Sequence, residues 1–492
     1  MPLMVNQASA EMRPRRSPGT IAAIAVAMGL GVFSCTVGPE YQRPPIALEA
    51  FHSAGAVAAR STGYPAPPLD AWWTGFDDPQ LVRIVQRALD QNLDLAAALA
   101  RVDQARAAAR AAGAQLLPTA DLTAQASRVH QSLESPIGAI ARHLPGFRQD
   151  QSLYDVGAAA SWEIDLFGGL RRGAEAAAAE AEAADAARLG TRISVAADAA
   201  DAYFQIHGDQ ARIAVAEEQV GTDVQLLDLV RLRFSRGLAT DREVAQAEAL
   251  LSQARTSLQP LRIDLEAQLN RLDVLMGAQP GTYAAELKDP GVIPPAPAIS
   301  DGDRPTDLLR RRPDVIAAER RLASSNARIG EAISDYYPKI SISGLLGFES
   351  LDAGHLFRAA TFQPAATAGL RWRLFDFGKV DAEVAQARGA NAEALARYRQ
   401  SILHAAEDVE NAFTSLVQLE AHADELRREV AALRQARDSS QKAYAGGVIP
   451  LTDVLAADRQ LLSAQDELAH TRANTDRAAV QSFRALGGGW SS

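Results

Sequence analysis

Trp162-Glu163-Ile164-Asp165-Leu166-Phe167-Gly168 recurs 210 residues later as Trp372-Arg373-Leu374-Phe375-Asp376-Phe377-Gly378. Gly237 to Val244 recurs at the same spacing as Gly447 to Val454. Upstream, Asn92-Leu93-Asp94-Leu95 through Pro118 parallels Arg312-Pro313-Asp314-Val315 through Pro338 at a spacing of 220. Offsets that hold across such distant markers signal an internal duplication, with each copy one structural unit. The change by ten means that the first half carries a longer loop between Pro118 and Trp162, where Ser132 to Gln151 reads as exposed and irregular.

Each half reads helix, strand, loop, strand, long helix, turn, helix. Pro79 to Leu117 has a helical pattern that Pro118 stops, because proline disfavours a helical conformation in the residue before it. Beyond it Ala120, Leu122, Ala124 and Ala126 alternate with Asp121, Thr123, Gln125 and Ser127. Val156, Ala158, Ala160, Trp162, Ile164 and Leu166 form the returning strand, and the second half repeats the pattern from Ile340 to Phe348 and from Ala366 to Leu374. Period-two alternation fits a barrel strand facing lipid and water, and equally a half-buried soluble sheet.

The following segments, Arg171 to Arg236 and Lys379 to Ala445, contain no proline. As helices at 1.5 Å per residue each extends roughly 100 Å, far beyond a globular domain. Leu395, Tyr398, Ile402, Ala405, Val409, Ala412, Leu416, Leu419, Ala423, Leu426, Val430 and Leu433 step by threes and fours, the seam of a coiled coil. The first-half seam is interrupted by two acids, Asp209 and Asp223.

Composition narrows the function. A net charge of −10 argues against nucleic-acid binding, which needs a basic face. The single cysteine, Cys35, excludes an intrachain disulfide and a Cys-rich zinc site. No P-loop, nucleophile elbow, dinucleotide fingerprint or HExxH pair is present, so an enzyme is not expected, and neither is a metal or soluble cofactor. Arg13, Arg15 and Arg16 precede an apolar run from Thr20 to Phe33 and then Ser34-Cys35, the layout of a bacterial lipoprotein signal with a covalent lipid expected on Cys35. Thr36, not Asp, follows, which favours the outer membrane. No other segment is long and apolar enough for a spanning helix, so a second membrane contact would have to be a β-barrel.

Four strands cannot close on themselves in lipid, because their edges would leave backbone groups unpaired at several kcal/mol each. Two copies would give a filled eight-stranded barrel and three a twelve-stranded one with a lumen; counting leaves four copies open. Trp162 and Trp372, with Phe167 and Phe377, are expected at the barrel's lipid interface. Glu163 and Arg373 occupy equivalent positions, and two readings follow: a weak, solvated contact, which is preferred, or opposite charges meeting across neighbouring strands in the lumen.

Five stretches together resemble TolC-like outer-membrane efflux channels of the lipoprotein branch: Cys35 to Pro44, Trp72 to Pro79, Trp162 to Gly168, Arg311 to Glu319 and Tyr444 to Gly447. The resemblance spans nearly the whole mature chain. It implies a mixed α and β membrane protein: a homotrimer whose twelve-stranded outer-membrane β-barrel, four strands per protomer, continues into a long periplasmic α-helical barrel. Its implied partners are outer-membrane lipids, a periplasmic adaptor and an inner-membrane efflux pump, and its role is an exit duct for small toxic molecules. The implied layout is a signal peptide over 1–34, an anchored extended segment over 35–75, a first repeat over 76–276, a Pro-rich equatorial linker over 277–305, a second repeat over 306–486 and a tail over 487–492. Within the repeats, the hairpins are expected at 118–168 and 338–378, and the helices at 171–236, 242–276, 379–445 and 450–486. The turns carrying Arg236, Gly237 and Leu238 and Gly446, Gly447 and Val448 would meet the adaptor. Glu243 and Asp453, with Asp458 and Arg459 nearby, would ring the periplasmic gate, although Ala456 stands where the family often has a further Asp. A type I protein-secretion duct and a structural periplasmic coiled-coil lipoprotein are the competing readings.

Overall fold

The computed structural model describes residues 36–45, 49–60, 66–288, 291, 294–299 and 310–491. Cys35, the signal segment and parts of the Pro-rich linker lie outside the described residues. Seven main helices follow in chain order: α1 Pro79–Gln91, α2 Leu93–Ala114, α3 Gly169–Ser235, α4 Asp241–Leu275, α5 Pro313–Ser334, α6 Lys379–Ala445 and α7 Leu451–Ala485. Four strands, β1 Thr119–His130, β2 Asp150–Ile164, β3 Lys339–Ser350 and β4 Phe362–Arg371, form one antiparallel sheet in the order β1-β2-β3-β4. The single helix expected over Pro79 to Leu117 is two, because Asn92 takes an extended conformation between them. Its side chain accepts from the Leu95 amide and donates to the Leu275 carbonyl, so it ends one helix and starts the next. The loop expected over Ser132 to Gln151 contains a short helix, Pro136–Ala141, started by the Ser135 hydroxyl.

Two compact units emerge, and each draws on both repeats. Of the described residues, the first takes 36–40, 110–176 and 326–389 and holds the sheet; the second takes those within 41–109, 177–325 and 390–491 and is helical. In the first unit the duplication is preserved at the level of single pairs. Thr119 faces Ser161 across β1 and β2, and adding 220 and 210 gives Lys339 facing Arg371, which is the pairing of β3 with β4. The indole of Trp162 donates to the Leu116 carbonyl at 3.0 Å, and that of Trp372 donates to the equivalent Tyr336 carbonyl at 3.0 Å. The apolar faces of the strands are uncovered: Leu122 is 78% exposed, Leu346 63% and Leu370 65%. A half-buried soluble sheet would cover them, since burying each is worth about 1.5–3 kcal/mol.

Two expectations for the sheet fail. β4 ends at Arg371 and does not reach Trp372 and Leu374, whereas β2 reaches Ile164. The last residues of β2, from Trp162 to Ile164, are held by pairing with β3, and among the described residues no strand plays that part for β4. Glu163 and Arg373 do not meet either: Glu163 faces Ser341 on β3, while Arg373 lies 3.4 Å from Glu383 and 3.6 Å from Asp335. Equivalent positions of a duplicated hairpin fall on alternate strands, β2 and β4, so β3 separates them.

In the second unit, small residues on α3 let helices approach closely; Ala196, Ala197, Ala199, Ala200 and Ala202 are fully buried beside Tyr203, Phe204 and Ile206. The Trp72-Trp73 segment closes this core. Trp72 stacks on Phe483 at 5.4 Å and Phe76 packs on Phe204 at 4.9 Å. Asp78 then caps α1, accepting from the amides of Gln80 and Leu81, and its second oxygen accepts from the Tyr203 hydroxyl.

Candidate functional site

The turns between long helices are built alike. After α3 the Leu238 amide donates to the Arg233 carbonyl and Gly237 to Phe234; after α6 Val448 donates to Ala443 and Gly447 to Tyr444. Gly237 and Gly447 have φ of +70° and +77°, the left-handed conformation that ends a helix and suits glycine. Arg236 and Gly446 complete the turns, and Leu238 and Val448 stand exposed at them. Arg233 ties the two together. Its guanidinium donates to the carbonyls of Tyr444 at 2.7 Å and Ala445 at 3.2 Å and lies 4.6 Å over the Tyr444 ring. An apolar cluster of Leu226, Val230, Leu250, Leu251, Tyr444 and Leu451 backs this end.

The expected gate acids separate into three environments. Glu243 is spent on its own helix: its carboxylate accepts from the Thr240 amide at 2.7 Å and hydroxyl at 2.9 Å, while the Thr240 hydroxyl accepts from the Glu243 amide. This is a capping box. Asp453 holds the equivalent place in α7, but the cap there is Pro450, which offers no side-chain hydrogen bond, and Asp453 is exposed. Asp458 contradicts the expectation. It is fully buried with neither carboxylate oxygen hydrogen-bonded, so it does not line an aqueous constriction. Arg459, its neighbour, is exposed.

Asp458 lies in a cavity of about 490 Å³ between α3, α4 and α7, which Asp223 also lines. Arg437 stands 3.8 Å away. Burial is the main force raising the Asp458 carboxyl to about 6; Arg437 opposes it and Asp438 adds to it. Burial likewise raises Asp223 to about 6, opposed by the Gln219 hydrogen bond and assisted by Asp458. Asp209, the other acid interrupting the seam, is also raised to about 6 by burial, against a hydrogen bond from Gln205. The position of Asp458 was readable: Leu451, Val454, Leu455, Asp458 and Leu461 fall at i, i+3, i+4, i+7 and i+10, one apolar helix face with an acid in it.

Two stretches singled out in the sequence turn out to bind one another. Glu319, buried on α5, accepts from the Tyr41 hydroxyl, from Arg43 at 2.8 Å and from Arg320 at 2.6 Å. Burial alone would raise this carboxyl, but hydrogen bonds from Arg43, Tyr41 and Arg320 outweigh it and hold it below the usual range. Arg312, also buried, reaches Asp314, Asp408 and the carbonyls of Ala405 and Ala485. Arg60 pairs with Glu420 and reaches the Pro297 carbonyl, and Gly291 donates to His207. The segments before and between the repeats are thus fastened to the helices.

At the foot of the sheet Phe167 stacks on Tyr337 at 4.5 Å, while its equivalent Phe377, with φ of +56°, is fully exposed. Trp162 and Trp372 are partly exposed. Among the described residues no helix is long and apolar enough to cross a membrane, and no group of acids and histidines could hold a metal ion.

Comparison with known proteins places this geometry. The family model of outer membrane efflux proteins matches residues 84–278 and 305–488. Outer membrane protein OprJ of Pseudomonas aeruginosa is 31% identical over 96% of both chains. The toluene efflux pump outer membrane protein TtgF of Pseudomonas putida is 30% identical over 95% of this chain and 96% of its own. The structure of the outer-membrane channel OprN superposes with a TM-score of 0.84 at 32% identity, covering 93% of this chain and all of the other. The open state of the Neisseria gonorrhoeae MtrE outer membrane channel gives 0.77 at 26%, covering 93% and 99%. The chain belongs to the outer membrane efflux protein family, and is a TolC-like outer-membrane channel component with a large periplasmic part.

Proposed function

We propose that the chain is one subunit of a homotrimeric exit duct, anchored by lipid on Cys35, through which an inner-membrane pump and a periplasmic adaptor expel small toxic molecules. The observation that carries this reading is the sheet: four strands with uncovered apolar faces and unpaired edges on β1 and β4. In hydrocarbon such edges need partners, and three copies give twelve strands with room for a lumen. The polar strand faces then line the channel.

The turns around Gly237 and Gly447 form the periplasmic tip that the adaptor touches. Asp453, exposed and free of a capping role, supplies the main acidic ring; Glu243 contributes while serving its capping box. A ring of carboxylates favours cations and repels anions. Replacing Asp453 and Glu243 together by Ala is expected to raise conductance and lower cation preference in planar bilayers. Unchanged conductance and selectivity would remove both residues from the gate. Cys35→Ser is expected to abolish the lipid mass on the mature N-terminus, and an unmodified Cys35 in wild-type protein from its native membrane would defeat the anchor.

A further inference from the structure

The edges left open in one protomer carry a register. β1 and β4 are the outer strands of the sheet, each with one side unpaired. The two hairpins repeat with offsets of 220 for the leading strand and 210 for the returning strand, as the β1·β2 and β3·β4 pairings show. The junction between hairpins, β2 against β3, is therefore a template for the junction between copies, β4 against the next β1. Carrying the offsets over turns Glu163↔Ser341 into Arg373↔Asp121, Trp162↔Ile342 into Trp372↔Leu122, and Gly157↔Gly347 into Thr367↔Ser127.

Resting on the trimeric reading above, we propose that β4 of one protomer pairs antiparallel with β1 of the next in this register, with Arg373 opposite Asp121 of the partner subunit and Thr367 opposite Ser127 of the partner subunit. Three further observations agree. β2 extends to Ile164 because β3 pairs with its last residues, Trp162 to Ile164; the equivalents Trp372 to Leu374 fall outside β4 in the single chain and regain partners at Leu122 to Ala120 of the partner subunit. Phe167 packs on Tyr337 across the β2–β3 junction, whereas the equivalents Phe377 and Leu117 are both exposed and meet across the new one. Asp121 makes no ion pair among the described residues and lies on the same strand face as its new partner. Opposite charges allow one other alignment: a slip by two residues puts Arg371 opposite Asp121. The duplication chooses between the two.

The test is disulfide trapping in the full-length protein in its native membrane. Facing residues on adjacent antiparallel strands have Cα atoms about 4.5–5.5 Å apart, within the bridging range. A slip by two residues moves them to roughly 8 Å, outside it. Thr367→Cys with Ser127→Cys is expected to give a reductant-sensitive trimer on denaturing gels. Thr367→Cys with Gln125→Cys, or with Val129→Cys, is expected to give at least about ten times less. Stronger linkage through Gln125→Cys or Val129→Cys would overturn the register and leave the closed barrel standing. No linkage in any register, with the natively extracted wild-type chain monomeric, would overturn the closed barrel as well. Charge reversal supplies a second readout: Arg373→Asp or Asp121→Arg alone should lower the temperature at which the oligomer dissociates in detergent, and the double variant should restore it. Failure of the double variant to restore it would remove the charge pair.

Discussion

The two repeats share a fold and differ in what they bury. Where α6 places Leu419 and Leu433, α3 places Asp209 and Asp223 in its seam, 210 residues earlier. Asp209 and Asp223 are buried, and neither satisfies both carboxylate oxygens. At α7 the relation reverses: Asp458 is buried, and its first-repeat equivalent Glu248 is a surface residue paired with Arg231 at 2.8 Å. The tips differ too. Arg233 clamps the second turn from the first, and its equivalent Ala443 returns nothing. Thr240 builds a capping box, and its equivalent Pro450 does not. Duplication supplied two equal halves, and the differences between them gather in the helix seams and at the tips. Buried unpaired acids are costly, and α6 shows that the same seam accepts leucine.

The largest effect follows from importing the second repeat's residue into the first. Asp223, Asp458 and Asp209 each have a folded pKa near 6 against an ordinary 3.8. A carboxyl raised in this way contributes its stabilisation fully below about pH 4 and loses it as pH rises through about 6. At neutral pH each raised carboxyl therefore costs up to about 3 kcal/mol, and the Asp223–Asp458 pair is not additive. Asp223→Leu is expected to raise the helical unfolding midpoint at pH 7.5 and to flatten the rise in stability that the raised carboxyls predict for wild type as pH falls from 7.5 to 5. The groups that shift this pair of carboxyls are Gln219 on α3, Arg437 and Asp438 on α6 and Asp458 on α7, so Asp458→Asn should act in the same direction. Circular dichroism melts across that range decide it. A wild-type midpoint independent of pH would show that these carboxyls titrate alike in the folded and unfolded chain, so that burial raises none of them.

Next in size is the clamp. Arg233→Ala removes two hydrogen bonds to backbone carbonyls and the contact with the Tyr444 ring. A loss of about 1–3 kcal/mol in local stability is expected. Because the loss is confined to the turns, it should appear as faster amide exchange from Leu232 to Thr240 and from Tyr444 to Pro450, with the sheet unaffected. Exchange altered equally throughout would mean that Arg233 supports the whole helical unit and not the tip.

The overall plan was legible because duplication, period-two strands and long proline-free helices all have short-range signatures. Bounds of the long helices agree with the structure to within two residues at each end. The end of β4 was not legible, because the alternation of Ala366 to Leu374 says which residues could pair, not whether a partner strand is present. The meeting of Tyr41 and Arg43 with Glu319 was not legible either; nothing local to either stretch marks a contact some 276 residues away. Asp458 was misassigned for a different reason. A charge near a turn suggests solvent, and only the seam spacing from Leu451 to Leu461 reveals the apolar face on which it lies.

The smallest effect asks whether the tips can be made equal. Pro450→Thr restores the residue that caps α4 and places a hydroxyl where Asp453 can complete a capping box, as Glu243 does with Thr240. A gain of about 0.5–1 kcal/mol in the stability of α7 is expected, since a side-chain cap satisfies amides that proline leaves open. If the exposed carboxylate of Asp453, which takes no part in a cap, is what attracts cations at the gate, tying it to the cap should also reduce cation preference without removing a charge. Asp453→Asn in the same background then has little left to change, whereas in wild type it should lower the preference clearly. Bilayer reversal potentials for the three variants separate charge from availability. A Pro450→Thr channel with wild-type selectivity would mean that the number of carboxylates at the tip matters and their freedom does not.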